Sequence, residues 1–273
     1  MSHILYKYLD IKGGKAMMGL YESKCIFRKK THHPTLQFTN ASQLNDPFDC
    51  HQKLIDYSNV PDIIAKDPIH KEWEQKIEEN DALNLRNDTW LSSFSKVNDS
   101  ILMWSHYCYN HKGVCIGLDL DRVKESVPPM FGTIYIKPLE FDVQYLDIIV
   151  RPNAYRSNED IYKYQLATKA KDWAYEQEVR LVMPKPSAMY AAFTPEQAKE
   201  AKKDRHKVWD WKAIHHYLPL KGDCFESIYF GVNTDPKEKE KIINFARTQL
   251  NPDIKLYQMQ IDESAFRLKA ERI

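Results

Sequence analysis

The sequence predicts an α+β fold: a mixed, mainly antiparallel sheet core with peripheral helices and a helical insertion near residues 60–87. Three observations lead there. Short apolar, β-branched and aromatic stretches recur along the chain, with helical patterns between them at irregular intervals. A regular βαβαβ rhythm is absent, which argues against a parallel doubly wound sheet. With only 8 Gly, the chain has no G-x-G-x-x-G or Walker loop to cradle a phosphate.

The elements follow in order. Ile4 to Tyr8 alternates apolar and polar residues as a first strand. Lys15 to Glu22 predicts a short helix after Gly13-Gly14. Cys25 to Arg28 and Leu36 to Phe38 read as strands around a His-rich loop. Thr39 to Asp49 is rich in turn residues, and Asp46-Pro47 disfavours helix there. Val60 to Asn87 is polar with helical period and a sparse stripe of Trp73, Ile77 and Leu83, which is the predicted insertion. Thr89 to Ser95 reads as a strand, Ile101 to Tyr107 as a helix, and Val114 to Leu120 as an apolar strand. Thr133 to Ile136 and Phe141 to Tyr145 follow as strands, and Glu159 to Trp173 as a helix. Glu178 to Met183 is a strand stopped by Pro184 and Pro186, and Pro195 to Lys207 a charged helix or loop. His216 to Leu220 and Ser227 to Phe230 read as strands, Lys237 to Leu250 as an amphipathic helix, and Ile254 to Gln260 and Phe266 to Leu268 as closing strands.

The 273 residues suffice for one full core, and no linker, repeat or low-complexity tract divides them, so a single domain over 1–273 is expected. Hydrophobic residues at 43% and charged residues at 28% are ordinary globular composition. A net charge of +1 gives no general attraction to polyanions, although Arg28 to Lys30 and Lys199 to Lys207 are locally basic. The five cysteines are odd in number and form no Cys-x-x-Cys pair, which argues against zinc ribbons and disulfide frameworks and for reduced thiols in the cytoplasm. No signal-peptide core and no membrane-spanning apolar run is expected.

Three segments could carry chemistry. Asn45-Asp46-Pro47-Phe48-Asp49 is a rigid polar turn, either a plain capped turn or part of a site. Met103-Trp104-Ser105-His106-Tyr107, with Ser93-Phe94-Ser95 before it and His111-Lys112-Gly113 after, sets a histidine beside aromatic rings. Trp104 and Tyr107 are either core or ring contacts for a ligand, and His106 is either a satisfied buried histidine or a ligand-bonding one. In Trp173 to Val182, strand alternation places Glu176, Glu178 and Arg180 on one face. That is either an exposed edge with an ion pair or a carboxylate held by Arg180 in a cleft. Ten histidines include no H-x-x-x-H or H-E-x-x-H pattern, and Cys108 and His106 are too close in sequence to face each other as a nucleophile pair.

The series LYKY, LQFTNASQLNDPFD, SFSKVNDSILMWSHYCYNHKGVCIGLDL, WAYEQEVRLV and a late Phe-Gly-Val-Asn turn resembles the bacterial domain-of-unknown-function family 2971 from about Leu5 to Gln260. Members of that family occur partly in phage-defence settings. The layout also resembles ADP-ribosyltransferase-like domains, with Tyr6 to Tyr8 as the first element, Ser93, Ser95, His106 and Tyr107 as the second, and Glu178 as the third. Two departures stand out: the motif spacing is stretched by Val60 to Asn87, and Ser93-Phe94-Ser95 replaces a Ser-Thr-Ser triplet.

This second resemblance implies an NAD-using enzyme, a toxin or defence effector. Glu178, Glu176 and His106 would be catalytic. Tyr6, Lys7, Tyr8, Asn45, Asp46, Ser93, Ser95, Trp104, Tyr107 and Arg180 would contact NAD, with no metal and with a macromolecular target of unspecified kind. Two other readings compete. One is a metal-assisted nuclease or phosphoesterase using Asp46, Asp49, His106 and Glu178. The other is a non-catalytic module that senses a nucleotide or a phage protein.

Overall fold

A computed structural model describes residues 3–20, 33–58, 66, 86–126, 138–158, 160–184 and 213–273. The expected strands Cys25 to Arg28 and Thr133 to Ile136, nearly all of the insertion near 60–87, and both basic stretches lie outside the described residues.

The chain opens with β1 (Ile4–Leu9) and α1 (Ile11–Met18). The Asp10 side chain caps α1 by accepting the Gly13 N–H at 2.6 Å, and Gly19 ends it in the left-handed region at φ 82°. The helix thus starts earlier than its composition suggests, with Gly13 and Gly14 inside it. Gly14 is required by packing, because a Cβ there would meet Val114 Cγ2 at 2.4 Å.

Then come β2 (Thr35–Asn40), β3 (Thr89–Ser95), α2 (Ile101–His106), β4 (Val114–Asp119) and α3 (Leu120–Ser126). Ser100 caps α2 by accepting the Met103 N–H. Next are β5 (Leu139–Asp142), β6 (Gln144–Leu146), α4 (Ile161–Leu166), β7 (Thr168–Ala170), a 3-10 turn (Lys171–Glu176) and β8 (Glu178–Pro184). The chain closes with β9 (His215–Pro219), β10 (Phe225–Phe230), α5 (Pro236–Phe245), β11 (Lys255–Ile261) and β12 (Leu268–Arg272).

Further expectations change here, among them the closing strand, which spans Leu268–Arg272 rather than Phe266 to Leu268. The stretch Phe141 to Tyr145 is two strands, because at Val143 the chain switches partners: Val143 N–H donates to Glu178, and Gln144 N–H donates to Ala167. The helix expected over Glu159 to Trp173 ends at Leu166, because the chain beyond it pairs with β6 as β7. Tertiary pairing overrides local helical propensity there.

The fold is α+β, as expected. Ten of the described strands form one sheet in the order β12-β11-β10-β4-β1-β3-β2-β9, with β8 and then β5 joined to β3. Its pairs are antiparallel except β10 with β11; β6 and β7 form a separate parallel pair. One face carries the main core, with Leu36, Phe38, Trp90, Phe94, Ile116 and Phe230 packed with Met17 and Met18 of α1 and Ile242 of α5. A second cluster holds Tyr8, Met103, Trp104, Cys115, Tyr229 and Met259. Among the described residues no helix is long and apolar enough to cross a membrane.

Strand β3 organises the sheet. β8 pairs along its whole length, from Thr89↔Pro184 to Ser95↔Glu178. The other edge is shared: β1 meets it only at Tyr6↔Ser95, and β2 only at Thr39↔Leu91 and Asn40↔Trp90. Between those points the sheet forks, and a gap opens at Ser92 to Phe94.

The late Phe-Gly-Val-Asn turn and the His-x-Gly segment lock together. Gly231 N–H donates to Gly113 O, Asn233 N–H donates to His111 O, and Tyr109, Asn110 and His111 all have positive φ. A Cβ on Gly231 would lie 2.2 Å from the His111 carbonyl oxygen. Gly231→Ala is therefore expected to destabilise the protein by about 1–3 kcal/mol, as overpacking does, seen as a lower Tm in thermal denaturation. An unchanged Tm would mean that this joint yields without cost.

Candidate functional site

Among the described residues the fork leaves one edge of β3 without a strand partner between Ser92 and Phe94, and Lys7 of β1 fills the gap. Its ammonium donates to Ser93 O at 2.8 Å and Ser92 Oγ at 3.0 Å, and lies 4.9 Å from the Phe94 ring centre. Beside it opens a cavity of about 200 Å³ whose lining includes Tyr6, Lys7, Tyr8, Asn45, Asp49, Ser93, Ser95, Tyr107, Lys169, Glu176 and Glu178. An outer cleft of about 430 Å³, lined by Asn45, His106, Tyr107, Asp172, Trp173 and Tyr175, shares Asn45 and Tyr107 with the inner cavity.

The floor of the inner cavity is a buried ionic cluster. In the turn after β2, Asp46 accepts the Phe48 N–H at 2.9 Å, and Cys50 takes φ 56°, so the chain reverses and Asp49 turns inward. Arg180 of β8 meets Asp49 with two bonds of 2.7 Å and Glu178 with bonds of 2.8 and 3.1 Å. Lys169 of β7 reaches Glu176 at 2.5 Å, Glu178 at 3.1 Å and Asp49 at 3.8 Å. Tyr107 donates to Glu176 at 2.6 Å, and Asn45 hydrogen-bonds the Tyr107 hydroxyl. Ser95 ties β3 to the 3-10 turn by donating to Glu176 O at 2.6 Å.

The two glutamates are pushed apart electrostatically. Burial raises the Glu178 pKa, but Arg180 and Lys169 together outweigh it, with Ser93 also hydrogen-bonded, and hold it down at about 2. Burial raises Glu176 too, and Lys169 offsets this only in part, so Glu176 stays above the usual carboxylate range. Burial lowers Lys169, but Glu178 and Asp49 reverse this and hold its proton on. Lys7, with less anionic support, is lowered by burial to about 8 against the pull of Glu178. A fixed anion beside a carboxyl that holds its proton more tightly is the division of roles found in acid–base pairs.

The three segments do converge, though with different members in front. Glu178 and Arg180 share a strand face, but Glu176 does not lie on the strand. Gln177 is left-handed at φ 43°, so strand alternation stops there, and Glu176 arrives from the 3-10 turn. The exposed-edge alternative fails: β8 is paired on both sides and Arg180 is fully buried. Tyr6, Lys7, Tyr8, Ser93, Ser95 and Tyr107 line the inner cavity, and Asn45 lines both spaces. Arg180 stands behind Glu178, outside the lining. Trp104 is fully buried in the second core cluster, its indole N–H spent on Asn98 O at 2.8 Å, and does not line the cavity. Asp46 is a turn residue, also outside the lining. His106 is exposed rather than buried. It faces the outer cleft, 6.1 Å from the Tyr175 ring.

Sequence reading missed Lys169 because it sits inside a stretch with helical pattern. The signal that could have found it was charge balance: Asp49, Glu176 and Glu178 face only one guanidinium, so burying them together needs a second cation. Among the described residues no group of three His, Cys, Asp or Glu is set to hold a metal ion. The acidic residues here already share two cations.

Residues 103–181 match a family model described as a protein of unknown function (DUF2971). This central segment resembles that family. The DUF2971 match runs from α2 to β8, so it takes in Tyr107, Lys169, Glu176, Glu178 and Arg180 and leaves out Lys7 and the Asn45 turn. No curated protein and no solved structure matches the chain.

The cluster contributes to the acid sensitivity. Glu178 has its pKa depressed by folding, so its contribution is present above about pH 4.5 and lost as pH falls towards about 2. Glu176 has the opposite sign, its raised pKa costing stability once it ionises. Chemical denaturation at a series of pH values is expected to show stability falling below about pH 4.5, with a shallower fall in Glu178→Gln. Arg180→Gln should lose about 3–5 kcal/mol, since it strands buried carboxylates.

Proposed function

We propose that the chain is an NAD-using, ADP-ribosyltransferase-like enzyme, with Glu178 as the anion that stabilises the oxocarbenium-like centre formed when nicotinamide leaves. The observation that carries this reading is Glu178 itself: a carboxylate held ionised by Arg180 and Lys169 at the wall of a small polar-aromatic cavity. A preformed charge of this kind needs no reorganisation as positive charge develops.

In the proposed step the bond between ribose C1′ and the pyridinium nitrogen breaks, and its electron pair returns to the ring to give neutral nicotinamide. An acceptor O–H or N–H, or water, forms the new bond to C1′ and gives its proton to Glu176. Tyr107 steadies Glu176 through its 2.6 Å bond. Tyr6 and Tyr8 offer rings to the nicotinamide side, and Ser93 offers a hydroxyl, whereas the Ser95 hydroxyl is committed to Glu176 O and the Val97 N–H. The outer cleft, with Trp173, Tyr175 and His106, is where the macromolecular acceptor would approach. Consumption of NAD or modification of a cellular target would make the chain a toxin or phage-defence effector. The metal-assisted alternative is weaker because Lys169 and Arg180 already neutralise the carboxylates a metal would need.

Nicotinamide release from NAD is the direct test. Wild type is expected to release it, and Glu178→Gln about 10²–10³-fold more slowly, the usual cost of removing one preorganised electrostatic group. Growth arrest on expression should likewise be relieved by that substitution. Equal, background-level release by both proteins would sink the reading. A thermal shift with NAD but no turnover would point to a sensing module, and chelator-sensitive cleavage of nucleic acid to a metal-dependent one.

A further inference from the structure

The glycosyl-transfer reading assigns unlike tasks to two glutamates only two residues apart, and something must keep those tasks separate. Arg180 makes the two unlike, because of the pair it bonds Glu178, but neither it nor strand alternation holds the two carboxylates together. Gln177 breaks the strand between them, and Arg180 touches Glu178 but makes no hydrogen bond to Glu176 among the described residues. The group in contact with both is Lys169. Its Nζ is 2.5 Å from Glu176 Oε2 and 3.1 Å from Glu178 Oε2.

We propose that Lys169 is a positioning residue of this site: one ammonium shared by Glu176 and Glu178 fixes the two carboxylates relative to each other and favours the charged form of both, so that Glu176 can accept a proton beside the anionic Glu178. The assignment of roles rests on the NAD reading; the shared ammonium does not.

Several features support this. An ammonium has three donors in a small volume, so it can hold two carboxylate oxygens close together without an intervening water. Lys169 is buried, on a strand anchored by parallel pairing with β6, so its nitrogen is set by backbone geometry rather than by a mobile chain end. Trp173 roofs it, 4.9 Å from ring centre to Nζ, on the side where the outer cleft opens. The other charged or titratable groups around it are Asp49 from the turn after β2, Arg180 from β8, Tyr145 from β6 and Tyr175 from the 3-10 turn. Of these, Asp49 is committed bidentately to Arg180, and Tyr145 accepts the Glu178 N–H at 2.8 Å. Lys169 thus hydrogen-bonds the two glutamates, while Asp49, 3.8 Å away, meets it through charge alone. Without it, Glu176 would hold its proton to higher pH and Glu178 would lose one of the two cations it is hydrogen-bonded to.

The test compares Lys169→Gln, which keeps hydrogen-bond donors but loses the charge, with Lys169→Arg, which keeps the charge. Nicotinamide release from NAD is followed against pH, and carboxyl titrations are read by NMR on protein carrying ¹³C-carboxyl glutamate, with Glu176→Gln and Glu178→Gln assigning the signals. Lys169→Gln is expected to lower kcat about tenfold or more with KM for NAD nearly unchanged. It should also move the acid limb of the profile, and the Glu176 titration, up by about one pH unit. Lys169→Arg should return both towards wild type. A folded Lys169→Gln protein with wild-type pH profile and carboxyl titrations would overturn the proposal. If wild type releases no nicotinamide at any pH, the NAD reading fails, and the titrations alone judge Lys169: a shift of Glu176 in Lys169→Gln supports it, and none overturns it. Should Lys169→Gln not fold, Lys169→Arg decides, with loss of kcat at unshifted carboxyls counting against the idea.

Discussion

Arg180 has lost all contact with water, and its five N–H donors are spent on Asp49, Glu178 and the Leu166 carbonyl. A guanidinium in that position would be prohibitively costly unless every donor were matched. The matching partners come from three places in the chain: the Asn45–Asp49 turn, the end of α4 and the start of β8. Burial of this one charge therefore dictates how those elements meet, and the cavity above them is shaped by the same requirement.

The cluster also links stability to chemistry. Buried carboxylates that must be paired are available as fixed charges, and fixed charges at a cavity wall are what an electrostatic catalyst needs. Lys169 and Arg180 together keep Glu178 ionised, while burial leaves Glu176 with a greater hold on a proton. The forked edge of β3 adds the second condition. Because β1 and β2 touch that edge only at its ends, space remains for Lys7, two serines and the tyrosines of β1 beside the anion. The site thus depends on both, the paired burial of Arg180 and the way β3 is flanked.

Much of this was legible in the residues. Most of the described strands lie where apolar alternation or apolar runs put them, because side-chain period reports directly on which face is buried. The residue types of the site were visible as well: Glu178 and Arg180 stand two apart on one strand, and Tyr107 sits at the end of a helix. Legibility failed at Glu176, where one left-handed residue, Gln177, cancels the alternation the sequence suggests. It failed again at Lys169, where parallel pairing with β6 replaced a helical pattern. Trp104 and His106 were ambiguous for a different reason. On a short helix, the core side and the cleft side are separated by a rotation that only the neighbouring strands define.

By itself, then, the sequence determined the α+β class, the place of most strands along the chain and the presence of two acids and an arginine in a polar-aromatic setting. These follow from local periodicity and side-chain chemistry, which act over a few residues. Only the tertiary structure decided that Asp49 meets Arg180 across 131 residues of chain, that Lys169 bridges the two glutamates, and that Tyr107 rather than His106 reaches the inner cavity. The physical reason is that such contacts are fixed by the need to pair buried charges, and that need appears only once packing has removed the water.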